Sequence, residues 1–325
     1  MNMLVPVLLF LVGFVALIKG GDWFVDGAVG IAHRFHLPEL LIGATVVSIS
    51  TTLPEVMVSS QAALQGNAGI SYGNAIGSII CNASLIAAIT MAIKPGKVNK
   101  ASFLLPTIFF GIAAVIYTVL AYVSGQFLRW QGLLFLVIFV VYMVVSTIHM
   151  KKHPEAAEEE EEEEETKERP LWLELVLLVV GAAVIAIGAN LLVNNGTKIA
   201  QALGVPDSVI GLTMVALGTS LPELVTAITS LVKGHGALSL GNVIGANLFN
   251  IMLVSGMAIT INPFAIPAEK MLAGTNASLV VDMPVMWLVM IIMCLPSIIK
   301  GEIKRWQGIA LLLIYVAFTV FQFVG

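Results

Sequence analysis

Glu55 and Glu223 each close a Leu-Pro-Glu triplet set deep in an apolar run. The first triplet ends Gly43 to Glu55, GATVVSISTTLPE, and the second ends Gly211 to Glu223, GLTMVALGTSLPE. A carboxylate at membrane depth costs at least a few kcal/mol unless it is paired, solvated or neutralised. Two of them at matching positions point to a shared cation. On a helix, Ser48, Thr51, Thr52 and Glu55 fall on one face, as do Ala216, Thr219, Ser220 and Glu223. Pro54 and Pro222 each free a carbonyl one turn earlier, near Ser50 and Gly218. Free carbonyls at this depth are tolerated where they line a cavity. The next helix adds Asn74, Ser78 and Asn82, with Asn242, Ala246 and Asn250 as counterparts. The pooled set is almost all oxygen, with two formal negative charges. Ca²⁺ takes six to eight oxygens in loose geometry and is neutralised by two carboxylates. Mg²⁺ fits less well, and soft metals lack a His or Cys cluster at this depth.

Other polar residues have simpler readings. A lone Ser or Thr in a membrane helix usually packs or back-bonds, so Ser48 by itself decides little. A Gly-Asn pair often starts a helix, which leaves Asn74 and Asn242 open between structure and binding. Asp22 and Asn190 fall near expected helix ends, where capping or solvation is the default. Trp130 and Trp306 read as interfacial anchors. His33 and His36 read as loop surface, and Glu174 and Asp282 as helix-start residues facing headgroups. Cys81 and Cys294 both lie in apolar segments and read as packed thiols.

The elements that position these residues are membrane helices. The 325-residue chain is 58% hydrophobic and 11% charged, with mean hydropathy +0.97. That composition excludes a soluble globular domain. Ten stretches are apolar enough to span: 3–20, 39–65, 71–93, 102–123, 128–149, 171–193, 208–232, 238–261, 281–299 and 304–323. With both termini outside, Lys and Arg divide 13 inside against 3 outside, a strong positive-inside bias. The predicted location is the cell membrane, multi-pass, with the lipid bilayer as partner. No cofactor and no nucleic-acid partner is expected.

The chain repeats itself at an offset of 168 residues. The offset carries Gly73-Asn74 onto Gly241-Asn242, Asn82 onto Asn250, Asp22 onto Asn190 and Pro38 onto Pro206. A Trp-Gln-Gly at 130–132 recurs at 306–308. Five spans per half is an odd number, so the second half enters the membrane inverted. The predicted fold is therefore an all-α polytopic membrane protein of ten transmembrane helices in two inverted five-helix repeats. Such repeats place a transport site at their interface near the midplane. The predicted division is 1–150, an acidic linker over 151–170, and 171–325. The linker holds eight consecutive glutamates, Glu158 to Glu165, and reads as a solvated cytoplasmic tether.

The paired G-x-T…T-[ST]-L-P-E and G-N-x-I-G-x…N segments resemble the α-repeats of the cation/calcium exchanger superfamily, and within it the prokaryotic sodium/calcium exchangers. The resemblance covers nearly the whole chain and is tightest over 43–82 and 211–250. It implies a tight core of helices 2, 3, 7 and 8, with helices 1 and 6 sliding across it. By position it implies ion ligands at Glu55, Thr51, Thr52, Ser78, Asn82, Glu223, Thr219, Ser220 and Asn250, with backbone carbonyls of Ser48 and Ala216. Three positions depart from the family pattern. Asn250 stands where Asp is common, Ala246 where Ser is usual, and Ser50 where its twin Gly218 is the usual Gly.

The predicted function is secondary-active Ca²⁺/cation antiport, with Ca²⁺ and Na⁺ competing for one site by alternating access. A proton-coupled or K⁺-assisted exchanger is the nearest rival, because buried paired carboxylates can also carry H⁺. A passive channel is a further alternative, although antiparallel duplication suits alternating access better. No enzyme is expected: the chain has no HExxH or GxSxG motif, and no His accompanies the two glutamates.

Overall fold

The computed structural model describes residues 3–152, 169–202, 216–268, 271–272 and 274–324. Most of the acidic linker, Pro206, and the segment 211–215 that opens the second motif lie outside them. The spanning helices are α1 Leu4–Arg34, α2 Leu40–Leu64, α3 Ala68–Ile93, α4 Phe103–Ser124 and α5 Arg129–Lys152, then α6 Leu171–Ala202. After α6 come the shorter α7, Leu221–Val232, and then α8 Gly236–Ile261, α9 Ser278–Lys300 and α10 Arg305–Val324. Among the described residues, every one of these except α7 is long and apolar enough to cross a membrane. A short helical turn, Ala216–Thr219, precedes α7.

Two expected ends are corrected. The stretches 3–20 and 171–193 are too short: α1 runs to Arg34 and α6 to Ala202. Asp22 therefore lies inside α1 and Asn190 inside α6, and neither is at a helix end. Gly20-Gly21-Asp22 reads as a stop in isolation. In the fold, Gly20 lies against the α6 backbone, where a Cβ would sit 2.9 Å from the Ile185 nitrogen, and Asp22 finds a cation, so the helix continues.

Burial separates core from rim. Of the residues in their apolar stretches, 78% of α8 and 72% of α3 are buried, against 17% of α10 and 22% of α5. The exposed side chains of the rim, such as Leu4, Leu8, Leu11, Val137 and Val144, form the lipid-facing surface. α1 and α6 pack together along most of their length. Small residues let the backbones touch: a Cβ on Gly13 would sit 2.9 Å from the Gly188 carbonyl, and one on Gly27 would sit 2.5 Å from the Leu178 nitrogen.

Short antiparallel strands stitch the two halves at both ends of the bundle. β1 (Gly96–Lys97) pairs with β6 (Glu302–Ile303), and β2 (Gln126–Phe127) with β3 (Phe264–Ala265). A third pair, β4 (Met271–Leu272) with β5 (Thr275–Asn276), lies within the α8–α9 connection. The repeated Trp-Gln-Gly now has a structural account. Gln131 and Gln307 each accept from a backbone N–H three residues earlier, Leu128 and Lys304, both at 2.8 Å, which is half of a capping box. Gly132 packs on the backbone of Thr260 and Gly308 on Ala88, while Trp130 and Trp306 are exposed.

Candidate cation-binding site

The site is built from α2, α3, α7 and α8. Each of α2, α3 and α8 relaxes into π-helical turns near it: Gly43–Val47, Asn82–Ala87 and Asn250–Val254. Two of these begin at repeat-related asparagines. Such turns insert a residue into the helical ladder and concentrate at functional sites. The first is pinned from outside, since the Tyr142 hydroxyl donates to the Ala44 carbonyl at 2.9 Å. Gly43 lets α8 approach it, because a Cβ there would meet the Leu238 carbonyl at 2.5 Å and the Asn242 nitrogen at 2.7 Å.

The two proline motifs fold differently. Pro54 sits inside a continuous α2. In the second half the helix breaks at Ser220, and Pro222 becomes part of the first turn of α7 together with Glu223. This corrects the expectation of one unbroken span over 208–232. Proline is well suited to a first turn, where its missing N–H has no partner anyway, and the helix N-terminus favours a carboxylate.

Glu55 and Glu223 are both fully buried. Thr52, on the α2 face of Glu55, donates to Glu223 Oε1 in a long contact of 3.5 Å. Two further bonds cross between the halves as a symmetric exchange. Thr51 donates to Asn242 Oδ1 at 3.1 Å, and Thr219 donates to Asn74 Oδ1 at 3.3 Å. Asn74 and Asn242 are thus mid-helix connectors. The helix-start reading is corrected for both, because α3 is capped by Asn67, whose side chain accepts from the Ile70 N–H at 3.0 Å, and α8 begins at Gly236. The Ser48 hydroxyl donates to the Gly43 carbonyl at 2.7 Å and the Asn242 carbonyl at 2.9 Å, which ties α2 to α8, and the Ser48 carbonyl accepts from the Thr51 hydroxyl at 3.4 Å. Ser78 is buried on α3 between Asn74 and Asn82. Ala216 lies in the short turn before α7.

What remains is a set of buried oxygens with nothing to bond. Among the described residues of the site, six oxygens lack a partner: both oxygens of Glu55, Glu223 Oε2, Asn82 Oδ1, Asn250 Oδ1 and Ser220 Oγ. Native proteins pair nearly all buried polar atoms, so this concentration calls for a ligand. Its chemistry matches a hard cation. Asn250 has a fixed orientation: its Nδ2 donates to the Ala246 carbonyl at 3.0 Å, so its oxygen is the free acceptor. Asn82 leaves both its amide atoms unbonded.

One outlying reading changes. Glu174 does not face headgroups; it is buried, with its carboxyl group over Gly30 of α1. Asp282 accepts from Gln322 at 3.0 Å. Both cysteines are buried free thiols, and Cys81, beside Asn82, lies 4.0 Å from the Tyr315 hydroxyl. Sequence reasoning missed the Ser59–Ser71–Asn74 cluster, in which Ser71 bonds the Ser59 carbonyl at 3.0 Å and Asn74 bonds the Ser59 hydroxyl at 2.9 Å. The signal was available at the repeat offset, where Ser71 maps to Ser239 but Ser59 maps to Ala227.

Known proteins resemble the chain along its length. The sodium/calcium exchanger protein family profile matches residues 5–148 and 173–324. A putative antiporter, CaxA of Alkalimonas amylolytica, is 35% identical over 99% of this chain and 98% of its own. The sodium/calcium exchanger MaX1 of Methanosarcina acetivorans is 33% identical over 97% and 98%. Among solved structures, the sodium-calcium exchanger NCX_Mj soaked with Na⁺ and Sr²⁺ superposes with TM-score 0.80 at 33% identity, covering 97% of this chain and 98% of that one. The NCX_Mj likeness extends to the ten-helix, two-repeat architecture.

Proposed function

The chain belongs to the sodium/calcium exchanger family, and from that premise we propose that it is a secondary-active antiporter exchanging Ca²⁺ for Na⁺ by alternating access. The observation that carries the ion assignment is the pair of buried carboxylates, Glu55 and Glu223, amid unpartnered amide and hydroxyl oxygens. In this reading Glu55 and Glu223 neutralise the ion, and Asn82, Asn250, Ser220, Thr51, Thr52, Thr219 and Ser78 supply neutral oxygens. The carbonyls of Ser48 and Ala216 complete the set. With the site empty, two bare carboxylates would have to cross an apolar barrier, which supports obligatory exchange.

The glycine-packed α1 and α6 move as one body across the core of α2, α3, α7 and α8 and expose the site to each side in turn. The division at 1–150, 151–170 and 171–325 follows the repeats. Both termini lie outside the cell membrane and the acidic linker lies in the cytoplasm, as the positive-inside bias supports.

The test is Ca²⁺ uptake into vesicles of the purified protein under an imposed Na⁺ gradient or an imposed pH gradient. Outward Na⁺ drives uptake in the proposed exchanger. Uptake driven by pH alone would assign H⁺ as the counter-ion, and uptake needing no counter-ion would make the protein a channel. Replacing Glu55 by Gln abolishes exchange.

A further inference from the structure

The repeat offset pairs charged residues at one end of the bundle with neutral amides at the other. Lys233, at the C-terminal end of α7, bonds Asp26 at 2.7 Å, approaches Asp22 at 3.5 Å and donates to the Asp22 carbonyl at 2.9 Å. Arg169 reaches the other Asp26 oxygen at 3.2 Å, and Arg34 donates to the Arg169 carbonyl at 3.1 Å. Two acids on α1 are thereby held to the core helix α7 and to the start of α6. The counterparts of Lys233, Asp22 and Asp26 are Gln65, Asn190 and Asn194. There Asn194 donates to Asn190, and among the described residues neither is bonded to Gln65. Lys94, which donates to the Gly234 carbonyl at the end of α7, has Asn262 as its counterpart, which bonds Ala63 at the end of α2.

We propose that Lys233, Asp22 and Asp26 form a one-sided ionic latch that holds the sliding pair α1–α6 against the core at one membrane face, and that their repeat counterparts at the opposite face, Gln65, Asn190 and Asn194, form no such latch. The alternating-access reading above is the premise. A network of several charges outweighs the small effect of an isolated exposed pair. Because the latch favours only one of the two states, it biases the equilibrium toward closure at the Lys233 face. Lys233 is a positioning residue that touches no transported ion.

The experiment uses the full chain in vesicles, with Cys81 and Cys294 replaced by Ser and a reporter at Ser230→Cys. Ser230 is buried on α7 one turn before Lys233. Labelling by a membrane-impermeant maleimide from the Lys233 face rises roughly three- to tenfold in Lys233→Gln and in Asp26→Asn, the size expected when one charge network is released. Lys233→Arg, which keeps a cation facing both Asp22 and Asp26, returns labelling toward the parent rate, whereas Lys233→Met, of similar length and no charge, labels like Lys233→Gln; a role through shape alone would give the reverse for Met. Equal labelling in parent and both single variants overturns the latch. If the cysteine background fails to fold, amide exchange of α7 in the otherwise unaltered chain reads the same contact: faster exchange in Lys233→Gln supports the latch, and unchanged exchange sinks it. A parent protein that labels as expected but shows no counter-ion-driven Ca²⁺ uptake would overturn the exchanger assignment and leave the latch standing.

Discussion

In the proposed site, Glu55 and its twin Glu223 supply the two charges that would neutralise a divalent cation, a role that is directly testable. Changing either to Gln removes one of two negative charges beside the ion. At contact distance in a protein interior, that loss exceeds about 1.4 kcal/mol, a factor of ten. Calorimetric titration of the purified variants should show Ca²⁺ affinity reduced at least tenfold for both. A drop in one variant alone would mean that the carboxylates do not share the ion. A second residue-scale prediction concerns Ala227. Its counterpart Ser59 accepts from Asn74 at 2.9 Å, whereas the equivalent Asn242 Nδ2 has no partner. Ala227→Ser supplies the missing acceptor and should stabilise the protein by about 1 kcal/mol, read as a higher thermal midpoint in detergent. The two glutamates were legible in the sequence because charge at membrane depth is costly wherever it occurs. The connecting roles of Asn74 and Asn242 were not, because each bonds a threonine from the opposite half.

At the level of elements, the helices were read from apolar length, and their ends were the weak point. The true ends of α1 and α6 depend on each other: Gly13, Gly20 and Gly27 pack on an α6 backbone far away in sequence. The break at Ser220 was hidden because the same Leu-Pro-Glu triplet sits in a continuous helix in the first half. Close approach between elements also sets the site. Gly43 admits Leu238 and Asn242 to within 2.7 Å of where its Cβ would be, and Asn242 in turn receives Ser48 and Thr51. Gly43→Ala should force α2 and α8 apart, at a cost of about 1–3 kcal/mol, as overpacking in a close-packed core generally does. Ca²⁺ affinity should fall with stability, because the displaced Asn242 no longer holds Thr51. A variant with native affinity and native thermal midpoint would show that this contact does not position the site.

Across the whole molecule, two inverted halves are joined by strand pairs at both ends and meet at a buried cluster of oxygens that includes two carboxylates. The inversion was legible from an odd number of spans per half and a constant offset. The asymmetry between the two faces was not, because it depends on which Lys233, Asp22 and Asp26 counterparts meet in space. The charge count makes net charge movement a property of the entire cycle. If three Na⁺ exchange for one Ca²⁺, one positive charge crosses per turn, opposite in direction to Ca²⁺. A potential of about 100 mV then contributes about 2.3 kcal/mol, close to a fiftyfold bias in the equilibrium distribution. Vesicles loaded with Na⁺ and clamped inside-positive with a K⁺ diffusion potential should therefore accumulate more Ca²⁺ than unclamped vesicles, and inside-negative vesicles less. Exchange of one Ca²⁺ for two protons or two Na⁺ moves no net charge, so uptake indifferent to the clamp would eliminate the three-for-one cycle while leaving the two-carboxylate site intact.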